Sequence, residues 1–97
     1  MSERIDRLRA AVEAACGCTA THSESYQVTE TFNGQVIFEG AVEAFDLDGH
    51  PKAKRSYAFY IMESDEPIFQ TVLELPPVDS PRAAVKVAIA AKAKQAQ

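Results

Sequence analysis

Tyr26-Gln27-Val28-Thr29-Glu30-Thr31-Phe32-Asn33-Gly34-Gln35-Val36-Ile37-Phe38 is the stretch on which the fold turns. Tyr26, Val28 and Phe32 alternate with Gln27, Thr29 and Thr31, the period of a half-buried strand, and Asn33-Gly34 supplies the two central residues of a tight hairpin. A returning strand runs from Gln35 to about Leu47, with Val36, Phe38 and Val42 on one face. Phe45 and Leu47 have the opposite parity, and a bulge between Gly40 and Ala44 is expected to restore the face.

Two further strands are read downstream. Lys54 to Met62 sends Tyr57, Phe59 and Ile61 one way and Ser56, Ala58 and Tyr60 the other, and Ile68 to Leu75 buries Phe69, Leu73 and Leu75. Ser64-Asp65-Glu66-Pro67 is the turn between them. Pro76-Pro77 ends the last strand, because proline cannot donate to a ladder. Ser80 then caps a helix with Pro81 in its first turn, running to about Lys94 on a stripe of Ala84, Val85, Ala88, Ile89 and Ala91. Upstream, Ser2 caps a helix with Ile5, Leu8, Val12 and Ala15 on one side, Gly17 stops it, and residues 18–25 read as a linker. The expectation is one α+β domain over 1–97: helix and linker in 1–22, an antiparallel sheet in 25–75 and a closing helix in 80–95. The order is α-β-β-β-β-α, a meander with two helices packed on one face.

The 97 residues have 46% apolar and 25% charged content, ordinary for a folded module. No apolar run approaches the roughly 20 residues of a membrane span, and the charged N-terminus is unlike a signal peptide. Cys16 and Cys18 are spaced awkwardly for a disulfide, so a reducing compartment, the cytoplasm, is expected. The net charge of −4 is unevenly distributed. Glu24 to Asp48 holds six acids and no Lys or Arg, Lys52, Lys54 and Arg55 follow together, five acids lie between Glu63 and Asp79, and the end of the chain is basic. Such sorting bears on partners and orientation.

The order of helix, antiparallel strands and helix, with the basic turn Gly49-His50-Pro51-Lys52-Ala53-Lys54-Arg55 and the final helix starting Arg82-Ala83-Ala84-Val85-Lys86, resembles the double-stranded RNA-binding domain. The resemblance covers Val36 to Lys94. It implies a dsRBD-like fold in which the His50 loop enters a minor groove and Arg82 and Lys86 hold phosphates across the next major groove. The family's dense lysine cluster is reduced here to those two residues, and a negative net charge opposes phosphate binding. Gly49-His50-Pro51-Lys52-Ala53, Tyr57-Ala58 and Pro76-Pro77-Val78-Asp79-Ser80-Pro81 also resemble stretches of small bacterial proteins without an assigned activity, which implies a bacterial source and no function.

Two sets of binding residues follow. Ala58, Tyr60 and Met62 form an apolar stripe on the side of the sheet expected to be open, rimmed by Glu39, Glu43 and Glu74, and suit contact with another protein or a second copy. This is the leading reading: a small non-enzymatic binding or adaptor module. The alternative is a duplex-RNA or other anion site made of His50, Lys52, Lys54, Arg55, Arg82 and Lys86. No metal or cofactor is expected. Cys16, Cys18, His22 and His50 lack the paired spacing of a structural zinc site, and Asp46-Leu47-Asp48-Gly49 lacks the later ligands of a calcium loop. No nucleophile, base and orienting group recur in a catalytic pattern.

Overall fold

The computed structural model describes residues 3–63 and 65–95, and the side chains of all of these except 62, 63 and 92–95. Helix α1 spans Glu3–Cys16, strands β1 to β4 span Thr19–Phe32, Gln35–Asp48, Arg55–Glu63 and Glu66–Leu73, and helix α2 spans Pro81–Gln95. The sheet is a single antiparallel meander in the order β1-β2-β3-β4. The α+β class and the α-β-β-β-β-α order are therefore as expected. No helix among the described residues is long and apolar enough to cross a membrane.

The local signals act where the sequence puts them. Asn33 and Gly34 take φ of 52° and 79°, closing the first hairpin. Gly17, with φ 67°, ends α1 and donates its N–H to the Glu13 carbonyl at 2.9 Å. Ser80 caps α2, its Oγ accepting from the Ala83 N–H at 3.1 Å. Ser2, expected to cap α1, and Ser64, in the expected turn, lie outside the described residues.

The helices do not share a face of the sheet. Leu8 and Val12 of α1 pack on Ala20, Phe45 and Ala58. Ala84, Val85 and Ala88 of α2 pack on Val28, Phe38, Val42, Ala44, Tyr57 and Phe59. Successive residues of a strand point to opposite sides, so Ala44 and Phe45, or Tyr57 and Ala58, serve different cores. This corrects the expectation of two helices on one face, and its physical reason also removes the bulge expected near Gly40. Phe45 and Leu47 need no repair of parity, because they face a second core beneath α1.

The bulges lie elsewhere. The register shifts between His22 and Glu24 and again between Glu30 and Thr31. The first inserts Ser23 into β1, so that Ala20 and His22 face α1 while Tyr26 and Val28 face α2. Residues 19–25, expected as linker, are therefore strand.

The strand pairs differ in length. β1 and β2 pair from Thr19↔Asp48 to Phe32↔Gln35, and β3 and β4 from Ser56↔Leu73 to Glu63↔Glu66. β2 and β3 pair only from Glu43↔Ala58 to Asp46↔Arg55. Past that short junction the two hairpins diverge, and the distal half of the β1–β2 hairpin projects as an arm.

Candidate functional site

The basic residues singled out by sequence fall into two separate groups. His50 turns its ring onto its own loop, Nδ1 accepting from the N–H groups of Lys52 at 3.1 Å and Ala53 at 2.9 Å. It caps a turn whose Ala53 is buried. Lys52 and Lys54 are exposed. Arg55 donates from Nε to Asp46 Oδ1 at 3.3 Å; burial pulls its pKa down, but hydrogen bonding to Asp46 and Tyr57 and the charges of Asp46 and Glu74 together outweigh this and the net shift is upward. Arg82 grips Glu30 with Nε at 3.0 Å from Oε2 and Nη2 at 3.3 Å from Oε1. Hydrogen bonding from Arg82 holds the covered Glu30 carboxyl below its usual pKa, and Glu30 raises that of Arg82. Lys86 is exposed one turn further along α2.

The His50 loop follows Asp48, which pairs with Thr19, whereas Arg82 meets β1 at Glu30. Eleven residues of strand separate those points, roughly 30 Å in a chain whose longest extent is 39 Å. His50, Lys52, Lys54 and Arg55 thus do not form one patch with Arg82 and Lys86.

The Ala58, Tyr60, Met62 stripe is not an open face. Ala58 is completely buried in the core that contains Leu8 and Val12 of α1. Tyr60 packs at the edge of that core, with Phe69 edge-on at 6.3 Å and the Arg4 guanidinium 6.0 Å from its ring centroid. The Met62 side chain lies outside the described residues. The expected acidic rim is likewise dispersed: Glu43 is buried, and Glu74 accepts from the Tyr57 hydroxyl on the side of α2. Burial and Glu74 push the Tyr57 phenol up to about 12.

Glu43 is the most enclosed acid among the described residues, its side chain 2% exposed beneath the start of α1. Its Oε2 receives Arg4 Nη1 at 2.6 Å, and Oε1 receives His22 Nε2 at 2.8 Å and the Ser25 hydroxyl. Burial pushes the carboxyl pKa up, but hydrogen bonds from Ser25, Arg4 and His22 outweigh it and hold it below the ordinary value. The bulge at Ser23 makes the cluster, since it brings His22 and Ser25 to the same face as Glu43. Ser25 Oγ stands 3.4 Å from the same Nε2 that meets Glu43. A nucleophile relay needs the hydroxyl and the carboxylate on different ring nitrogens. The group is therefore a clasp joining α1 to β1 and β2.

Arg4 also donates from Nη2 to the Ala41 carbonyl at 3.0 Å, at the point where β2 and β3 part. Beyond it lies a cleft of about 200 Å³ lined by Val36, Ile37, Phe38, Glu39, Tyr60 and Ile61. A second hollow, about 360 Å³, runs between the arm and α2 past Phe32, Ile37, Lys86 and Ile89. Phe32, Val36 and Ile37 are 65%, 58% and 41% exposed around these two openings. The alternation of Phe32 and Val36 reads as core from sequence, but at the end of the β1–β2 hairpin both stay exposed. Val87, also exposed, lies on the other flank of α2, since at about 3.6 residues per turn it falls across the buried Ala84, Val85 and Ala88 stripe from Ile89. Among the described residues no group of three His, Cys, Asp or Glu side chains stands where it could hold a metal ion.

Comparison with protein-family models, with curated proteins and with solved structures finds no match for this chain.

Proposed function

We propose that this chain is a small non-enzymatic binding module that engages another protein through the distal half of the β1–β2 hairpin. The observation that carries the reading is the exposure of three large apolar side chains at the end of one hairpin, Phe32 and Val36 on its opposite faces and Ile37 at the bulge beside them. Large apolar side chains gathered in this way favour contact, because covering them removes apolar surface from water. The arm replaces the Ala58 stripe as the contact surface. The reading as a binder is supported further by the use of His22, Ser25 and Glu43 as a structural clasp. The cysteines, free and two residues apart, fit a reducing compartment, and the reading is of a cytoplasmic protein.

The test is a photo-crosslinking amino acid placed at Val36 in the cells that make the protein, with Ala14 on the exposed side of α1 as control position. A discrete adduct from position 36 and none from position 14 is the expected result. Equal or absent adducts at the two positions would retire the proposal.

A further inference from the structure

We infer that the cleft between β2 and β3 receives an extended, basic segment of a partner protein, added as a strand along the inner edge of β2. The inference rests on the protein-contact reading above and names its mode. Hydrogen-bond direction alternates along a strand, and the Leu47 N–H donates to the Lys54 carbonyl at 2.8 Å. Leu47, Phe45 and Glu43 therefore turn their backbone groups toward β3, and so do Ala41 and Glu39. Pairing with β3 stops at Glu43. The Ala41 carbonyl is taken by Arg4, which leaves the N–H and C=O of Glu39 directed into the cleft opposite those of Tyr60 and Met62. Backbone groups of this kind need partners, and a strand supplies them at its own spacing.

Charge selects the occupant. Of the six acids from Glu24 to Asp48, Glu30 meets Arg82, Glu43 meets Arg4, Asp46 meets Arg55, Glu24 accepts from Tyr26, and Asp48 lies at the far end of β2 opposite Thr19. Glu39 lines the cleft and has no ion-pair partner among the described residues. An entering segment with a basic side chain answers it, while apolar side chains of the same segment meet Val36, Ile37 and Ile61. A second copy is a poor occupant, because the arm contains no Lys or Arg to offer.

The experiment adds a synthetic peptide of alternating lysine and valine, with blocked ends, to the ¹⁵N-labelled full chain, up to millimolar concentration. The expected result is saturable amide shifts over residues 39–41 and 60–62, slowed exchange of the Glu39 amide, and no such effect from the same peptide N-methylated at every second residue. Glu39→Lys should weaken binding about tenfold at low salt. Equal response to both peptides, with shifts at Phe32, Val36 and Ile37 alone, would overturn strand addition and leave the protein-contact reading standing. So would an absence of shifts alongside a position-36 crosslink. Absence of both would overturn the two together. A concentration-dependent dimer in sedimentation that protects the Glu39 amide without peptide would give the cleft to a second copy and overturn the inference.

Discussion

Replacing Arg4 by Gln is expected to destabilise the fold more than replacing Glu43 by Gln, although the two residues form one ion pair. The Glu43 side chain is 2% exposed and that of Arg4 38%. Without Arg4 the carboxylate stays enclosed with only His22 and Ser25 as donors, whereas without the carboxylate the guanidinium can turn to water. Removing one partner of a fully buried pair costs about 3–5 kcal/mol; partial exposure of Arg4 and the two remaining donors bring Arg4→Gln to about 2–3 kcal/mol. Glu43→Gln keeps the shape and should cost about 1–2 kcal/mol. At roughly 4–8 °C per kcal/mol for a domain of this size, Arg4→Gln lowers Tm by about 10–20 °C. Urea unfolding followed by circular dichroism gives both values, with an unchanged m-value certifying the same transition. The pH dependence supplies a second axis. The folded protein holds the Glu43 carboxyl below its ordinary pKa, so the clasp contributes fully above that value, about 4.3, and is lost as the pH falls through the lowered one. Glu43→Gln should lack this part of the acid loss. Losses below about 0.5 kcal/mol for both variants, or the reverse order, would refute the reasoning.

Ser80→Ala removes the side-chain acceptor for the Ala83 N–H and should cost about 1 kcal/mol, read as a drop of several degrees in Tm. Gly34→Val places a β-branched side chain at φ 79° and should cost at least about 1–2 kcal/mol in the same unfolding assay. Absorbance at 295 nm should show that one of the three tyrosines resists ionisation until about pH 12, and Tyr57→Phe should remove that step. Because the folded value is raised above the ordinary phenol pKa, Tyr57 contributes stability below pH 10, lost between about 10 and 12. Ala58→Lys should unfold the chain, seen as lost far-ultraviolet ellipticity, since position 58 lies sealed in the core beneath α1.

What could be read in advance was whatever chemistry is local. Asn33-Gly34, Gly17 and the Ser80-Pro81 pair each act through neighbours within a few residues, and each forms the turn or cap its residue types require. What escaped depends on distant partners. Thr19 to Ser25 is too polar to read as strand, because much of it is exposed on an edge and its pairing comes from Glu43 to Asp48. Phe45 and Leu47 carried the signal of a second core, but opposite parity alone does not distinguish a second face from a bulge. Glu43 sits among apolar neighbours as a solvated acid would, and only Arg4, 39 residues away, together with His22 and Ser25 explains its burial. His50 looked available as a ligand, yet its ring closes on the turn that carries it. The sequence places the contact surface at Ala58 because it assigns α1 to the other face; with α1 covering that side, the large apolar side chains left exposed among the described residues are Phe32, Val36 and Ile37 at the end of the arm and Val87 on α2.

The division of β2 and β3 between two cores also governs how this chain can change in length. From Val42 to Phe45 and from Tyr57 to Phe59, each residue belongs to a different core from its neighbours, with one exception: Glu43 serves the clasp. Inserting or deleting one residue there would exchange the contents of the two cores, sending Phe45 to the small alanines of α2 and Ala44 to the space that Leu8 and Val12 now fill. β1 accommodates an extra residue at Ser23 because it lies at the sheet's edge and pairs on one side only. Descendants of this sequence should therefore gain and lose residues at the hairpin tip and in the loop of residues 49–54, while the central strands keep their count through substitutions of almost any other kind.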